Sequence, residues 1–218
     1  MKRKTRHQLK EDKFQKTITN VVEFSKEHTK EISIAAMGVA VLVVAYAIFL
    51  LINAQQIKKQ NQVLDRIFTL SSEIREDPAK LAELEKLAGM GKFSRLGYLE
   101  LAKYWFEKED FVKSIPYLDE IFKGKKDLVF YQAKDLLGQI YIRQKKYDDA
   151  IALYGELEEK NPEEYILDAV LFHKAQAHEK KGETDEALAL YKRLQEEFSQ
   201  TYYGYDASAK VLNLEGKK

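Results

Sequence analysis

Hydrophobic positions along this chain fall into three regimes. From Ile32 to Asn53 they are continuous: ISIAAMGVAVLVVAYAIFLLIN is 22 residues without a charge, bounded by Glu31 and Lys58. Before it, Phe14, Ile18, Val21 and Val22 recur at i, i+4, i+7 and i+8, which lines them along one helical face. After it, Ile57, Leu64, Ile67, Phe68 and Ile74 keep helical spacing through Gln55–Glu76. Asp77-Pro78 restarts the chain, because Asp caps a helix and Pro fits the first helical position. Leu81, Leu84 and Leu87 continue the stripe, and Gly89 and Gly91 end it. From Arg95 onward amphipathic helices are predicted in pairs.

That last regime repeats itself. Leu137, Gly138, Tyr141, Tyr147, Ala150, Tyr154, Leu157 and Pro162 form one spaced pattern. Ala175, His178, Thr184, Ala187, Tyr191 and Leu194 take the offsets of Gly138, Tyr141, Tyr147, Ala150, Tyr154 and Leu157 at a step of 37 residues. Upstream, Tyr98, Leu101, Ala102, Trp105, Phe111, Ser114, Leu118 and Ile121 follow at a step of 36. Two antiparallel helices that cross closely need small residues at the crossing, which is the place of Gly138 and Ala150, while aromatic rings fill the space between turns. The pattern resembles the tetratricopeptide repeat, a helix–turn–helix unit of roughly 34 residues, with about three residues inserted near 163–167. Lys134 stands where that repeat carries its first aromatic residue. Pro116 falls inside the expected second helix of the upstream unit and should kink it or delay its start. The stretch from Phe198 to Leu212 looks like the segment that ends many bacterial envelope repeat proteins. Ala207, Val211 and Leu214 are expected to cover the open end of the stack.

The uncharged run is long enough for a helix to cross the roughly 30 Å hydrocarbon core of a bilayer. Twelve of its residues are Leu, Ile, Val or Phe, and these favour insertion by about 4–7 kcal/mol. A cleaved signal peptide is the competing reading. The apolar stretch exceeds a usual signal core, and the 31 residues before it are unusually many, so a retained anchor is expected. Residues 1–31 carry nine Lys/Arg against five Asp/Glu, whereas Lys58, Lys59 and Arg66 are the basic residues that follow closely. This bias places the tail in the cytoplasm and residues 54–218 across the membrane, in a bacterial periplasm or cell exterior. The tail itself is either a basic helix on the anionic inner leaflet or a solvated arm that only sets topology.

Composition narrows the chemistry. The net charge of +1 separates into a basic arm and a body with 27 Lys/Arg against 30 Asp/Glu, a distribution that does not point to a nucleic-acid-binding domain. The chain has no cysteine, which excludes disulfides and thiolate metal sites. His173 and His178 lie about 140° apart on a helix and cannot share a metal. Gly89-Met-Gly91 is too short to cradle phosphate, and no Ser carries a nucleophile motif. The pairs Glu158-Glu159, Glu163-Glu164 and Glu196-Glu197 read as solvated charge. No enzyme activity and no cofactor are expected.

The fold class is therefore all-α: one transmembrane helix followed by a tetratricopeptide-like helical-hairpin solenoid. Its parts are a basic tail (1–31), the membrane helix (32–53), juxtamembrane helices (54–94) and the repeats with a capping helix (95–218). This layout is similar to the YfgM-like family. The resemblance implies an ancillary subunit of the Sec translocon that takes part in periplasmic chaperone traffic. A scaffold that assembles a secretion or division complex in the envelope is the alternative.

In tetratricopeptide arrays the first helix of each unit lines the ligand groove. Carried onto this register, the resemblance gives Leu96, Leu99, Lys103 and Phe106 in the first unit. It gives Gln132, Asp135, Gln139, Ile142 and Arg143 in the second, and Ala169, Phe172, Gln176, Glu179 and Lys180 in the third. Leu99, Lys103, Phe106, Gln139, Ile142, Arg143, Phe172, Gln176 and Lys180 are the expected partner-binding residues. Apolar anchors interleaved with cations would suit a peptide of some acidic character. Phe106 and Phe172 could instead pack internally.

Overall fold

Each amphipathic segment read above is helical in the computed structural model, which describes residues 2–160 and 166–216, with side chains from Phe14 onward. Pro162, Glu163-Glu164 and most of the inserted segment lie outside the described residues. No strand occurs among the described residues. The chain divides into two units, one up to Lys59 and one from Gln60.

In the first unit, α1 spans Lys2–Glu27 and α2 begins at Thr29. All of Ile32–Asn53 is exposed, so no protein surface covers this run, and it is long and apolar enough to cross a membrane. The boundary expected after Asn53 is not a helix end: α2 runs unbroken over 45 residues, Thr29–Glu73. Nothing between Asn53 and Glu73 is a glycine or proline, so nothing there stops a helix.

In the second unit, Ile67 and Leu70 at the end of α2 and Ile74 just after it pack against Leu84 and Ala88 of α3 (Leu81–Ala88) and Leu101 and Tyr104 of α4 (Ser94–Glu107). Ile57 and Phe68, read as part of the same stripe, are half exposed. Between α2 and α3, Pro78–Lys80 forms a single 3₁₀ turn, and the Asp77 carboxylate accepts the Ala79 N–H at 3.1 Å. Three hairpins follow: α4 with α5 (Phe111–Phe122), α6 (Leu128–Arg143) with α7 (Tyr147–Lys160), and α8 (Leu167–Lys181) with α9 (Thr184–Glu197). The last helix, α10 (Tyr202–Glu215), lays Ala207, Val211 and Leu214 on the α8–α9 core, as expected of a cap.

The crossings are as tight as the register requires. Ala102, Ser114, Ala150, Ala175 and Ala187 have no exposed surface. Ser114 is tolerated in an alanine place because its hydroxyl donates to the Ala102 carbonyl at 2.8 Å. Lys134 substitutes for the missing aromatic by setting its ammonium 4.5 Å from the centre of the Phe122 ring. Pro116 does not delay α5, which starts at Phe111 under an Asp110 cap. Pro116 and Val112 are both exposed on the outer face, so the lost ladder bond is on the solvent side.

The three hairpin turns share one geometry. The N–H of Asp110, Lys146 and Glu183 bonds the carbonyl of Trp105, Tyr141 and His178, each at 2.9 Å. This is the closing bond of a Schellman turn, which puts the preceding residue in the left-handed region. That residue is Gly182 (φ 95°) in the third turn but Glu109 (φ 58°) and Lys145 (φ 61°) in the first two. A side chain there costs about 1 kcal/mol that glycine avoids. Lys145→Gly is therefore expected to raise stability by about 0.5–1 kcal/mol, read as a higher urea midpoint at unchanged m. A lower midpoint would contradict the turn geometry.

Candidate functional site

The first helices of the hairpins stand side by side, α4 against α6 and α6 against α8. Two clefts open along this face. One, of about 450 Å³, is lined by Phe106, Gln139, Ile142, Arg143, Lys145, Tyr147, Gln176 and Lys180. The other, of about 330 Å³, is lined by Lys103, Phe106, Glu107, Gln132, Asp135, Leu136, Gln139 and Tyr203. Phe106 and Gln139 belong to both, so the clefts form one groove.

Charge is uneven along it. At the α4 side the cations are answered: Lys103 pairs with Glu100 at 2.8 Å, and Glu107 with Arg75 at 2.7 Å. Arg143 meets Glu109 at 3.3 Å and lies over the Phe106 ring at 5.8 Å from its centre. Lys145 and Lys180, both exposed, pair with no carboxylate among the described residues. Glu179, beside Lys180, is engaged elsewhere: burial would raise its carboxyl, but bonds from Lys210 and Tyr191 hold it below the ordinary range. The larger cleft therefore has an apolar floor, two glutamine amides and a cationic rim.

A buried polar pair supports the groove floor. Asp135 on α6 and His173 on α8 meet at 2.6 Å between Oδ1 and Nδ1, and both side chains are nearly inaccessible. A carboxylate only accepts, so the imidazole carries its proton on Nδ1 and donates. The second carboxylate oxygen accepts from the Gln139 amide at 2.9 Å. Tyr154 donates its hydroxyl to the Asp135 backbone carbonyl at 3.0 Å, and its burial together with Asp135 raises its pKa well above the usual phenol value. This network fixes the orientation of Gln139 at the junction of the two clefts.

Seven of the nine expected groove residues line the clefts: Lys103, Phe106, Gln139, Ile142, Arg143, Gln176 and Lys180. Ile142 is buried and forms the floor. Leu99 and Phe172 are corrections. Leu99 has no exposed surface and packs with Leu118, Ala133 and Ile140 between the first two hairpins. Phe172 is covered by Tyr203, whose ring centre lies 5.0 Å away, and by Tyr191 at 5.7 Å. Sequence reasoning missed Lys145 and Tyr147, which come from a turn and a second helix, and Tyr203, which comes from the cap. Offsets on first helices do not include those positions.

Glu158 is a further correction, because it is not merely solvated. It bridges Lys174 on α8 at 2.8 Å and Arg193 on α9. Burial would raise its carboxyl, but these two cations hold it below its ordinary value. Glu158 thus joins the second hairpin to the third.

Stacked helix–turn–helix units with closed crossings, a shared left-handed turn and a groove along their first helices define a helical-repeat protein. A tetratricopeptide-repeat family model matches residues 136–200, which span most of the second and third hairpins. No curated protein and no solved structure matches the chain.

Proposed function

We propose that this protein is a membrane-anchored protein-interaction module that holds an acidic peptide segment in its repeat groove, and that it acts by binding rather than catalysis. The observation that carries the reading is the larger cleft: a Phe106–Ile142 floor for an apolar anchor, ringed by Arg143, Lys145 and Lys180. Residues 32–53 serve as the anchor, and the basic tail supports a cytoplasmic N-terminus with the repeats outside the inner membrane. In that setting the module works as an ancillary chaperone or translocon-associated factor, in line with the layout it shares with such proteins.

The test uses a photocrosslinking residue at Gln176, in the groove, or at Glu186, exposed on α9. Discrete adducts are expected from Gln176 and not from Glu186. Arg143→Glu with Lys180→Glu should abolish the Gln176 adducts while stability changes by under about 0.5 kcal/mol each, since both side chains are exposed. Adducts that persist in the charge-reversed variant, or that form equally from both positions, would rule the groove out.

A further inference from the structure

The tail helix α1 carries an apolar stripe that nothing in the structure covers. Phe14, Ile18, Val21, Val22 and Phe24 are between 45% and 67% exposed. At 100° per residue they occupy an arc of roughly 160°, with Thr17 and Ser25 between them. The opposite arc holds Lys16, Glu23, Lys26 and Glu27. A free helix in water gains nothing from such a face, and one this wide is built to be buried.

Two observations identify the partner. The first is charge: Lys2, Arg3, Lys4, Arg6, Lys10 and Lys13 stand against only Glu11 and Asp12 in the first thirteen residues, so the end of α1 farthest from α2 complements an anionic surface. The second is position. α1 ends at Glu27, α2 starts at Thr29, and the uncharged run begins three residues later at Ile32. One residue, His28, separates the two helix ranges, and it keeps i→i−4 bonds on both sides: its N–H to the Phe24 carbonyl and its carbonyl from the Ile32 N–H, each at 3.0 Å. A bend at this junction, which opens those bonds, lays α1 against the bilayer that holds α2. Tethering at this distance gives the face a high effective concentration at the lipid surface.

We infer that α1 is an interfacial helix, which inserts Phe14, Ile18, Val21, Val22 and Phe24 into the leaflet containing anionic phospholipid, with the bend at the α1–α2 junction. The inference rests on the anchor reading of residues 32–53, and the experiment separates the two. The chain has no cysteine, so a single environment-sensitive probe can be attached through Ile18→Cys, Val21→Cys or Glu23→Cys. The full-length protein is reconstituted into phosphatidylcholine vesicles with or without phosphatidylglycerol at about one lipid in three, a content that gives the surface a strongly negative potential. Carbonate extraction first reports whether the protein is anchored.

With phosphatidylglycerol present, probes at Ile18 and Val21 should shift to the blue and be quenched by brominated acyl chains, while the Glu23 probe stays in water. Omitting phosphatidylglycerol should weaken the effect, as should changing Lys10 and Lys13 to Gln. Each charge removed should lower the docked-to-detached ratio roughly fivefold. Equal, unquenched probes on a carbonate-resistant protein would overturn the interfacial helix and leave the anchor standing. A blue shift without quenching would mean that protein covers the stripe, and it too would overturn the inference. Release by carbonate would overturn the anchor and the inference together.

Discussion

Asp135→Ala is expected to cost about 3 kcal/mol of folding stability, the largest loss from any single polar side chain in the repeat unit. The change strips His173 Nδ1–H and the Gln139 amide of their common acceptor inside the stack of α6 and α8, where the imidazole is largely buried. A buried donor left alone keeps the full desolvation penalty, whereas removing both members of a pair does not. Asp135→Leu combined with His173→Phe should therefore recover to within about 1 kcal/mol of the parent. Urea denaturation of the two variants separates the accounts. If the double substitution is as damaging as Asp135→Ala, the pair is not what matters at this place. Because Gln139 lines both clefts, the stable double variant is also expected to lose groove adducts.

Gly138→Ala should be nearly as severe, at about 2–3 kcal/mol, although it adds one methyl group. A Cβ at Gly138 would lie 2.4 Å from Cζ of Tyr154 and 2.5 Å from its hydroxyl. The ring cannot retreat, because Tyr154 has no exposed surface and its hydroxyl is bonded to the Asp135 carbonyl. The same substitution at Gly155, in the middle of α7, meets nothing nearer than the Lys174 ammonium at 4.0 Å. There alanine only restricts the unfolded chain, so Gly155→Ala should stabilise by about 0.5–1 kcal/mol. Opposite signs from one chemical change, read as melting temperatures, would establish the α6–α7 crossing. Equal signs would show that the helices cross elsewhere.

The two substitutions also mark how far the sequence could be read. The demand for a small residue at Gly138 was visible there, because the 36- and 37-residue steps align it with Ala102 and Ala175. The cleft-lining places of Lys103, Gln139, Arg143 and Gln176 were implied by the resemblance to tetratricopeptide arrays, whose first helices line the groove. Glu158 was not legible: its partners Lys174 and Arg193 lie 16 and 35 residues away, on two other helices. The pairing of Asp135 with His173 was hidden for the same reason, at a separation of 38 residues.

The elements of this protein could be read from its residues alone: an uncharged run long and apolar enough to cross a membrane as a helix, and paired helices whose small and aromatic positions recur in step. They could be read because periodicity, capping and close crossing act between residues a few positions apart or one repeat apart. Which residues of a first helix stay wet depends on packing between units. Phe106 in the first unit and Phe172 in the third lie seven register positions apart, on the same face of their helices, yet Phe106 lines the groove while Phe172 is sealed beneath Tyr203 of the capping helix. Burial depends on what arrives from outside the repeat. The capping helix brings Tyr203 over the third unit, and no local pattern around residue 172 encodes its arrival.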